Sequence, residues 1–191
     1  VDSDERLFLV SWDWARAQNL GLYSWLFSEE ARREPSALAK RRKDLLAGAD
    51  ELVAASEQHA YGRGLEAYQW GGNGVVARSV MTLQAAYLVS GDRRYRDAAF
   101  AQVAHLYGRN PFGRSYVTGD GERPPLFPHH RPSAGDDVAA PWPGHLVGGP
   151  NPGPLEWFDE TTNYRTNENA INWDAALAYA LAMFYSPEPK R

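Results

Sequence analysis

The sequence predicts an all-α fold in which helix pairs carry a long Pro/Gly-rich loop. Apolar residues recur at three- and four-residue steps over much of the chain, and no run alternates with a period of two. Ten of the thirteen prolines crowd into one interval, Asn110 to Arg165, where helical spacing disappears. Neither a helix interior nor a central strand tolerates that composition, so the interval is read as a loop between helical segments.

From Glu5 to about Phe27, the residues Leu7, Val10, Trp14, Ala17 and Leu20 share one helical face, which predicts a first helix. A more charged helix is expected after Pro35, with Leu38, Leu45, Leu46, Leu52 and Val53 as apolar positions and Ser36 as its cap. The stretch HAYGRGLEAYQWGGNG mixes glycine with aromatics and reads as a connection holding Tyr61, Tyr68 and Trp70 at a surface. Val76, Val80, Leu83 and Tyr87 open a third helix that stops at Ser90, Gly91 and Asp92. Tyr95, Ala99, Val103 and Leu106 repeat its spacing, so the two form a helical hairpin. A last helix is expected from about Asn167 to Phe184, with Ile171, Ala175, Ala178 and Ala182 on one face and Pro187 and Pro189 closing it.

Composition bounds the function. A chain of 191 residues with 43% hydrophobic residues suits one domain with a sizeable core. Seven Trp, ten Tyr and seven Phe can serve either a core or flat apolar ligands. A net charge of -4 with interspersed signs gives no basic stripe, which argues against nucleic acid. No apolar run reaches the roughly 20 residues that cross a bilayer, so no membrane partner is expected. Zero cysteines exclude disulfides, thiolate nucleophiles and cysteine zinc sites, and leave the redox compartment open. The acidic start VDSDERLFLV lacks the basic flank of a signal peptide and reads as a cut inside a longer chain.

A structureless interval this long is an active-site element or a linker, and its Trp, Tyr, His and Arg content argues against a solvated linker. SYVTGDGERPPLFPHHRPS gathers Tyr116, Thr118, His129, His130 and Arg131 among residues that fix an irregular backbone. Adjacent histidines diverge along an extended segment and no third spaced ligand follows, so no metal is expected; bonding to backbone carbonyls is the plain alternative for them. GHLVGGPN, from Gly144 to Asn151, lacks the lysine of a phosphate loop and reads as a tight structural turn. TTNYRTNENAINWDAA puts Glu168 at the mouth of the last helix, as a dipole-complementing cap or as an acid.

Taken together and in this order, LYGRNPFGRSYVTG, PHHRPS, PGHLVGGPN and YRTNENAINWDA closely resemble the C-terminal motifs of glycoside hydrolase family 9. QWGGNGVVAR resembles the family's WGSN segment, and the likeness runs clearly from about Tyr61 to Phe184. The resemblance implies an (α/α)6 barrel that cleaves β-1,4-glucosidic bonds in cellulose or related β-glucans with inversion. It implies that Glu168 is the general acid and that His129 and Arg131 bind the sugar beside the scissile bond. Tyr164 and Trp173 would lie near the same subsite, and Trp70 would be an aromatic sugar platform. The implied enzyme needs no cofactor and works outside the cell or in the periplasm.

The chemistry needs a carboxylic acid that keeps its proton near neutrality, although a helix N-terminus favours the ionised form by about 0.3–1 kcal/mol. It also needs a second carboxylate roughly 6.5–9.5 Å away to activate water. In the family that base lies in a DAGD-like motif early in the domain, and no such segment stands upstream of these helices. Asp136 and Asp137 follow PHHR and are not assigned the role. Residues 1–191 therefore read as the C-terminal portion of one catalytic domain, inactive alone. Its partners would be a β-glucan or oligosaccharide, and the missing half of the barrel or a second copy. A catalytically inactive carbohydrate-binding remnant and an exo-acting β-glucosidase or glucosaminidase remain the alternatives. Within the matched motifs Asp174 replaces Asn, Asn169 replaces an apolar residue and Gly72 stands where Ser is common. Asp174 is six positions beyond Glu168, off its helical face, so no direct contact is expected.

Overall fold

The computed structural model describes residues 8–185, so Glu5, Leu7, Pro187 and Pro189 of the expected terminal helices lie outside the described residues. The order is α1 (Gln18–Leu26), α2 (Glu29–Arg33), α3 (Pro35–Gln58), α4 (Gly72–Ser90), α5 (Arg93–Leu106), α6 (Arg131–Gly135), α7 (Tyr164–Asn167) and α8 (Ile171–Ala182). Among the described residues, β structure is limited to isolated bridges.

The first helix is shorter than its spacing predicts. The Asp13 carboxylate accepts from the amides of Ala15 at 2.9 Å and Arg16 at 3.1 Å, a local turn that competes with helical bonding. Buried Asn19 then ties the preceding segment down, exchanging bonds with Leu9 N at 3.1 Å and Leu9 O at 2.9 Å. Only after that tether does α1 proceed. Ser28 caps α2 by accepting from Ala31 N at 3.2 Å. Ser36 is not the cap of α3: the helix begins one residue earlier, with Pro35 in its first turn and Glu34 at the cap position. Proline suits that position, because its missing N–H would lack a helical partner there anyway.

The α4–α5 hairpin follows its sequence signals. Gly91 takes a positive φ of 73° and its N–H reaches Tyr87 O at 2.7 Å, while Asp92 restarts the chain by accepting from Arg94 N at 3.0 Å. Helix α4 is central, packed on α3, α5 and α8. Its Val80, Leu83 and Ala86 join Leu45, Ala49, Leu52, Tyr95 and Ala99 in one core. Its Val76 and Ala77 join a second core made largely by the loop and α8: Tyr116, Val117, Leu146, Val147, Trp157 and Trp173. The proline-rich interval is thus ordered by apolar residues of its own.

Spacing picked the wrong side of α8. Ile171, Ala175, Ala178 and Ala182 do share a face, but it is the exposed one, and Trp173, Ala176, Leu177 and Ala180 turn inward. Likewise Trp14, Ala17 and Leu20 of the expected first face are exposed, while Phe8, Trp12 and Leu26 are buried.

The connection between α3 and α4 is held by buried Gln102 of α5, which accepts from Gly64 N at 2.7 Å and donates to Gly62 O at 2.9 Å. Beside it His105 is buried, with ring centroids of His59 and Tyr116 at 6.3 and 6.1 Å. Burial, then the nearby Arg63 cation, pushes the His105 pKa from 6.5 down to about 3. A base with a depressed folded pKa gives stability that is complete above pH 6.5 and is lost as pH falls toward about 3. The slope is at most about 1.4 kcal/mol per pH unit. His105→Gln removes this ionisation, so denaturant midpoints measured from about pH 7 to about pH 4 should fall less steeply than in the parent. Parallel slopes would refute this role for the ring.

Candidate active site

Four loop segments lie side by side through a few backbone hydrogen bonds. Val147 N reaches Tyr116 O at 3.0 Å and Thr118 N reaches His145 O at 2.9 Å, pairing residues 116–118 with 145–147. Gly148 N reaches Glu168 O at 2.8 Å and Gly149 N reaches Thr166 O at 2.9 Å. His129 N then reaches Asn167 O at 2.8 Å, and His129 pairs with Glu168 in a parallel bridge. GHLVGGPN is therefore not a tight turn at its centre: Leu146 and Val147 are extended bridge residues between the other two motifs.

Glu168 belongs to this ladder, not to a helix mouth. It is extended, with φ -69° and ψ 150°, and Ala170 is the cap residue of α8. The expected opposition from that helix's dipole is correspondingly weakened, because the effect fades beyond the first turn. Helix α7 ends at Asn167, which is buried, and the chain becomes extended at Glu168, which is half-buried. The buried Asn167 amide donates to Phe127 O at 2.6 Å and accepts from Trp157 Nε1 at 3.2 Å. The half-buried Glu168 carboxyl accepts from Trp70 Nε1 at 3.0 Å through Oε2.

Trp70 is 46% exposed and stands edge-on to Trp173, with ring centroids 5.2 Å apart. Trp173 is 2% exposed, so it reaches the site through Trp70 and not by its own face. The glycines of QWGGNG make its slot: a Cβ on Gly74 would sit 2.2 Å from Trp173 Cδ1, and one on Gly71 would sit 2.4 Å from Cζ2. Asn73 fastens the same turn to the ladder, its N meeting Gly148 O at 3.0 Å and its Nδ2 meeting Val147 O at 3.0 Å.

The two histidines face different neighbours. His129 Nδ1 lies 2.6 Å from Thr161 O, which can only accept, so Nδ1 carries hydrogen and a neutral ring leaves Nε2 as the acceptor. Tyr164 stands edge-on to it at 6.3 Å and is exposed. Arg131 opens α6 with an exposed side chain. His130 instead bonds Ser133 Oγ at 2.8 Å and packs on His145 at 4.5 Å and Trp142 at 5.5 Å. Burial and the adjacent His145 hold the His130 pKa below its ordinary value. His145 Nδ1 meets Asp174 Oδ2 at 2.8 Å, whose Oδ1 accepts from Leu146 N at 2.8 Å. Sequence reasoning did not find this His130, His145 and Asp174 column, because its members are far apart in the chain.

Asp174, Asp136 and Asp159 are all committed. Asp136 accepts from Trp142 Nε1 at 2.6 Å, and Asp159 takes the amides of Leu126 and Phe127 at 2.9 Å each. Among the described residues, no group of three or more His, Asp or Glu side chains could hold a metal ion.

A half-buried carboxyl bonded to an exposed indole thus stands on a loop carried by paired helices, with His129 on the neighbouring backbone segment. The chain's residues 2–181 match the model of glycosyl hydrolase family 9, and the chain belongs to that family. It is 47% identical over 176 residues to Endoglucanase D of Acetivibrio thermocellus, covering 92% of this chain and 28% of that protein. It is 37% identical over 189 residues to a xyloglucan-specific endo-β-1,4-glucanase of Bacteroides ovatus, covering 86% of this chain and 31% of that one. Its structure superposes on that of a Bacteroides ovatus family 9 protein with TM-score 0.83 and 34% identity, covering 94% of this chain and 34% of the other. A metagenome-derived family 9 endoglucanase matches with TM-score 0.82 and 32% identity, covering 90% and 33%. The helix pairs are thus part of an (α/α)6 barrel, and the chain spans under a third of the curated relatives' length.

Gly74→Ala should destabilise the protein by about 1–3 kcal/mol, since the new methyl meets a ring that cannot retreat. Denaturant unfolding followed by tryptophan fluorescence measures it. A loss below about 0.5 kcal/mol would mean that the slot is not tight.

Proposed function

We propose that this chain supplies the general acid and part of the sugar-binding cleft of an inverting β-1,4-glucanase, as the C-terminal portion of its catalytic domain. The observation that carries the reading is the pairing of Glu168 with His129 on the ladder while Trp70 holds one carboxyl oxygen at 3.0 Å. That hydrogen bond fixes Oε2 and leaves Oε1 to carry the proton toward a glycosidic oxygen. The relatives are named as endoglucanases, which supports β-glucan hydrolysis as the reaction class.

Sugar recognition follows from the surrounding groups. The exposed indole of Trp70 offers a flat face to the axial hydrogens of a glucose ring, and the phenol of Tyr164 offers a second. His129 Nε2 and the forked donors of Arg131 take hydroxyls on either side of the bond to be cut. Trp173 supports Trp70 from beneath.

The water-activating base comes from a part of the domain that this chain does not span. Secretion fits a polymeric substrate that cannot enter a cell, and no helix among the described residues is long and apolar enough to cross a membrane.

In the complete enzyme, Glu168→Gln should cost about 10²- to 10⁴-fold in initial rate on soluble β-glucan with an unchanged melting curve. Near-normal turnover would remove Glu168 from the role. The chain alone should release no reducing sugar from the same substrate, and robust turnover would overturn the argument that the base lies elsewhere. Proton NMR of the first product formed by the complete enzyme should show the α-anomer, as inversion requires.

A further inference from the structure

His129 and Arg131 stand two residues apart but are held by different means. His129 is fixed by the ladder, with its N on Asn167 O at 2.8 Å and its Nδ1 on Thr161 O at 2.6 Å. Arg131 is exposed and takes its place from α6, five residues long, in which no residue is buried. The cap position of that helix, His130, makes no side-chain cap bond. So short a helix is not stable in water by itself, and something outside it must hold it.

The ring of His130 makes that connection. It lies against His145, with centroids 4.5 Å apart, and edge-on to Trp142 at 5.5 Å. Its Nδ1 is 2.8 Å from Ser133 Oγ, which also accepts from Trp142 N at 3.0 Å, so α6 is tied to the segment 142–145 twice. His145 is braced in turn. Its N donates to Thr118 Oγ1 at 2.9 Å, its O accepts from Thr118 N at 2.9 Å, and its Nδ1 meets Asp174 Oδ2 at 2.8 Å. A carboxylate can only accept, so this Nδ1 carries hydrogen. The other oxygen of Asp174 takes Leu146 N at 2.8 Å, which clamps the same segment to α8. Burial, then the nearby His145, keeps His130 below its ordinary pKa against the opposite pull of Asp174 and Asp136. At neutral pH the two rings therefore meet without two like charges.

We infer that His145, clamped by Asp174, is a positioning residue: through the ring of His130 it sets α6, and with α6 the guanidinium of Arg131 at the sugar site. Its effect on substrate rests on the sugar contact proposed above for Arg131. The dependence of α6 on His145 does not rest on that reading, nor on the role of Glu168.

The test uses the complete enzyme. His145→Gln removes the ring but keeps an amide N–H that can reach Asp174, so it separates the ring contact from the clamp. It should raise KM on soluble β-glucan about tenfold with kcat within about twofold, as displacement of a substrate-holding group does. Added to Arg131→Ala it should cause no further loss, because both act through one guanidinium. Hydrogen exchange over residues 131–136, where Ala134 N bonds His130 O at 3.0 Å, should quicken about tenfold in His145→Gln. Asp174→Ala should raise KM likewise, whereas Asp174→Asn should stay within about threefold of the parent. Its Oδ1 can take Leu146 N, and its Nδ2 can donate to an imidazole Nδ1 without hydrogen. Unchanged exchange in His145→Gln overturns the inference whatever the kinetics show. So does equal damage from Asp174→Ala and Asp174→Asn, and, where Arg131→Ala raises KM, so do additive losses in the double variant. If exchange quickens while Arg131→Ala leaves KM unaltered, the sugar contact of Arg131 falls and the hold of His145 on α6 stands.

Discussion

Register is the constraint on which the site depends. Where α7 ends at Asn167 and the chain becomes extended at Glu168, the backbone bonds at Gly148, Gly149 and His129 hold the junction in place, with the Asn167 amide buried and the Glu168 carboxyl half-exposed. A slip of this junction by one residue would take the Glu168 carboxyl away from Trp70 Nε1 and pull the Asn167 amide out of its buried site. The buried side of Asn167 prevents it. Its contacts to Phe127 O, Asp159 Oδ1 and Trp157 Nε1 would all be broken, leaving several buried polar groups unsatisfied at once. The Glu168 carboxyl is placed by its neighbour's amide more than by any contact of its own.

A ladder of isolated bridges needs a rigid base, and α4 provides it by joining two cores. Its middle and end pack between helices, and its first turn meets the loop through Val76, Ala77 and Asn73. Trp173 couples this turn to α8, seated against Gly71 and Gly74 with its edge toward Trp70. Those glycines act through close approach: any side chain at Gly74 would displace the ring that supports the exposed indole. The distance from Trp70 to Glu168 is therefore set by helix packing, although neither residue lies within a helix longer than one turn.

Helix existence was legible in the sequence because three- and four-residue spacing and the Gly91–Asp92 stop act locally. So were the motif segments that meet at the site, since Trp70, His129 and Glu168 stand in runs of aromatic, glycine and polar residues that resemble family motifs, and the structure brings these three together. What local reading missed has nonlocal causes. The Asn19 tether holds the segment before α1 through a contact across ten residues, beside a local Asp13 turn that apolar spacing does not weigh. The extended form of Glu168 comes from pairing with Gly148 and His129, twenty and thirty-nine positions away. Asp174 stood out as an extra acid, but its partner His145 lies twenty-nine residues earlier with nothing nearby to advertise it. Periodicity finds an apolar face without telling whether this chain covers it, which is why Ile171, Ala175 and Ala178 were chosen over Trp173 and Leu177.

That last ambiguity has a structural meaning. One side of α8 seats Trp173 beneath the exposed indole and sends Asp174 to His145 and Leu146, so it helps set the ladder that presents Glu168. The other side carries Ile171, Ala175 and Ala178 to the open face, and Asn172 sits between them with its idle amide. Only Asn169 and Ala170 separate Glu168 from the start of the helix. A layer that packs on the outer side must therefore fix the helix that fixes the Glu168 carboxyl. Completing the barrel and placing the Glu168 carboxyl become one mechanical event, with a single short helix as the link between them.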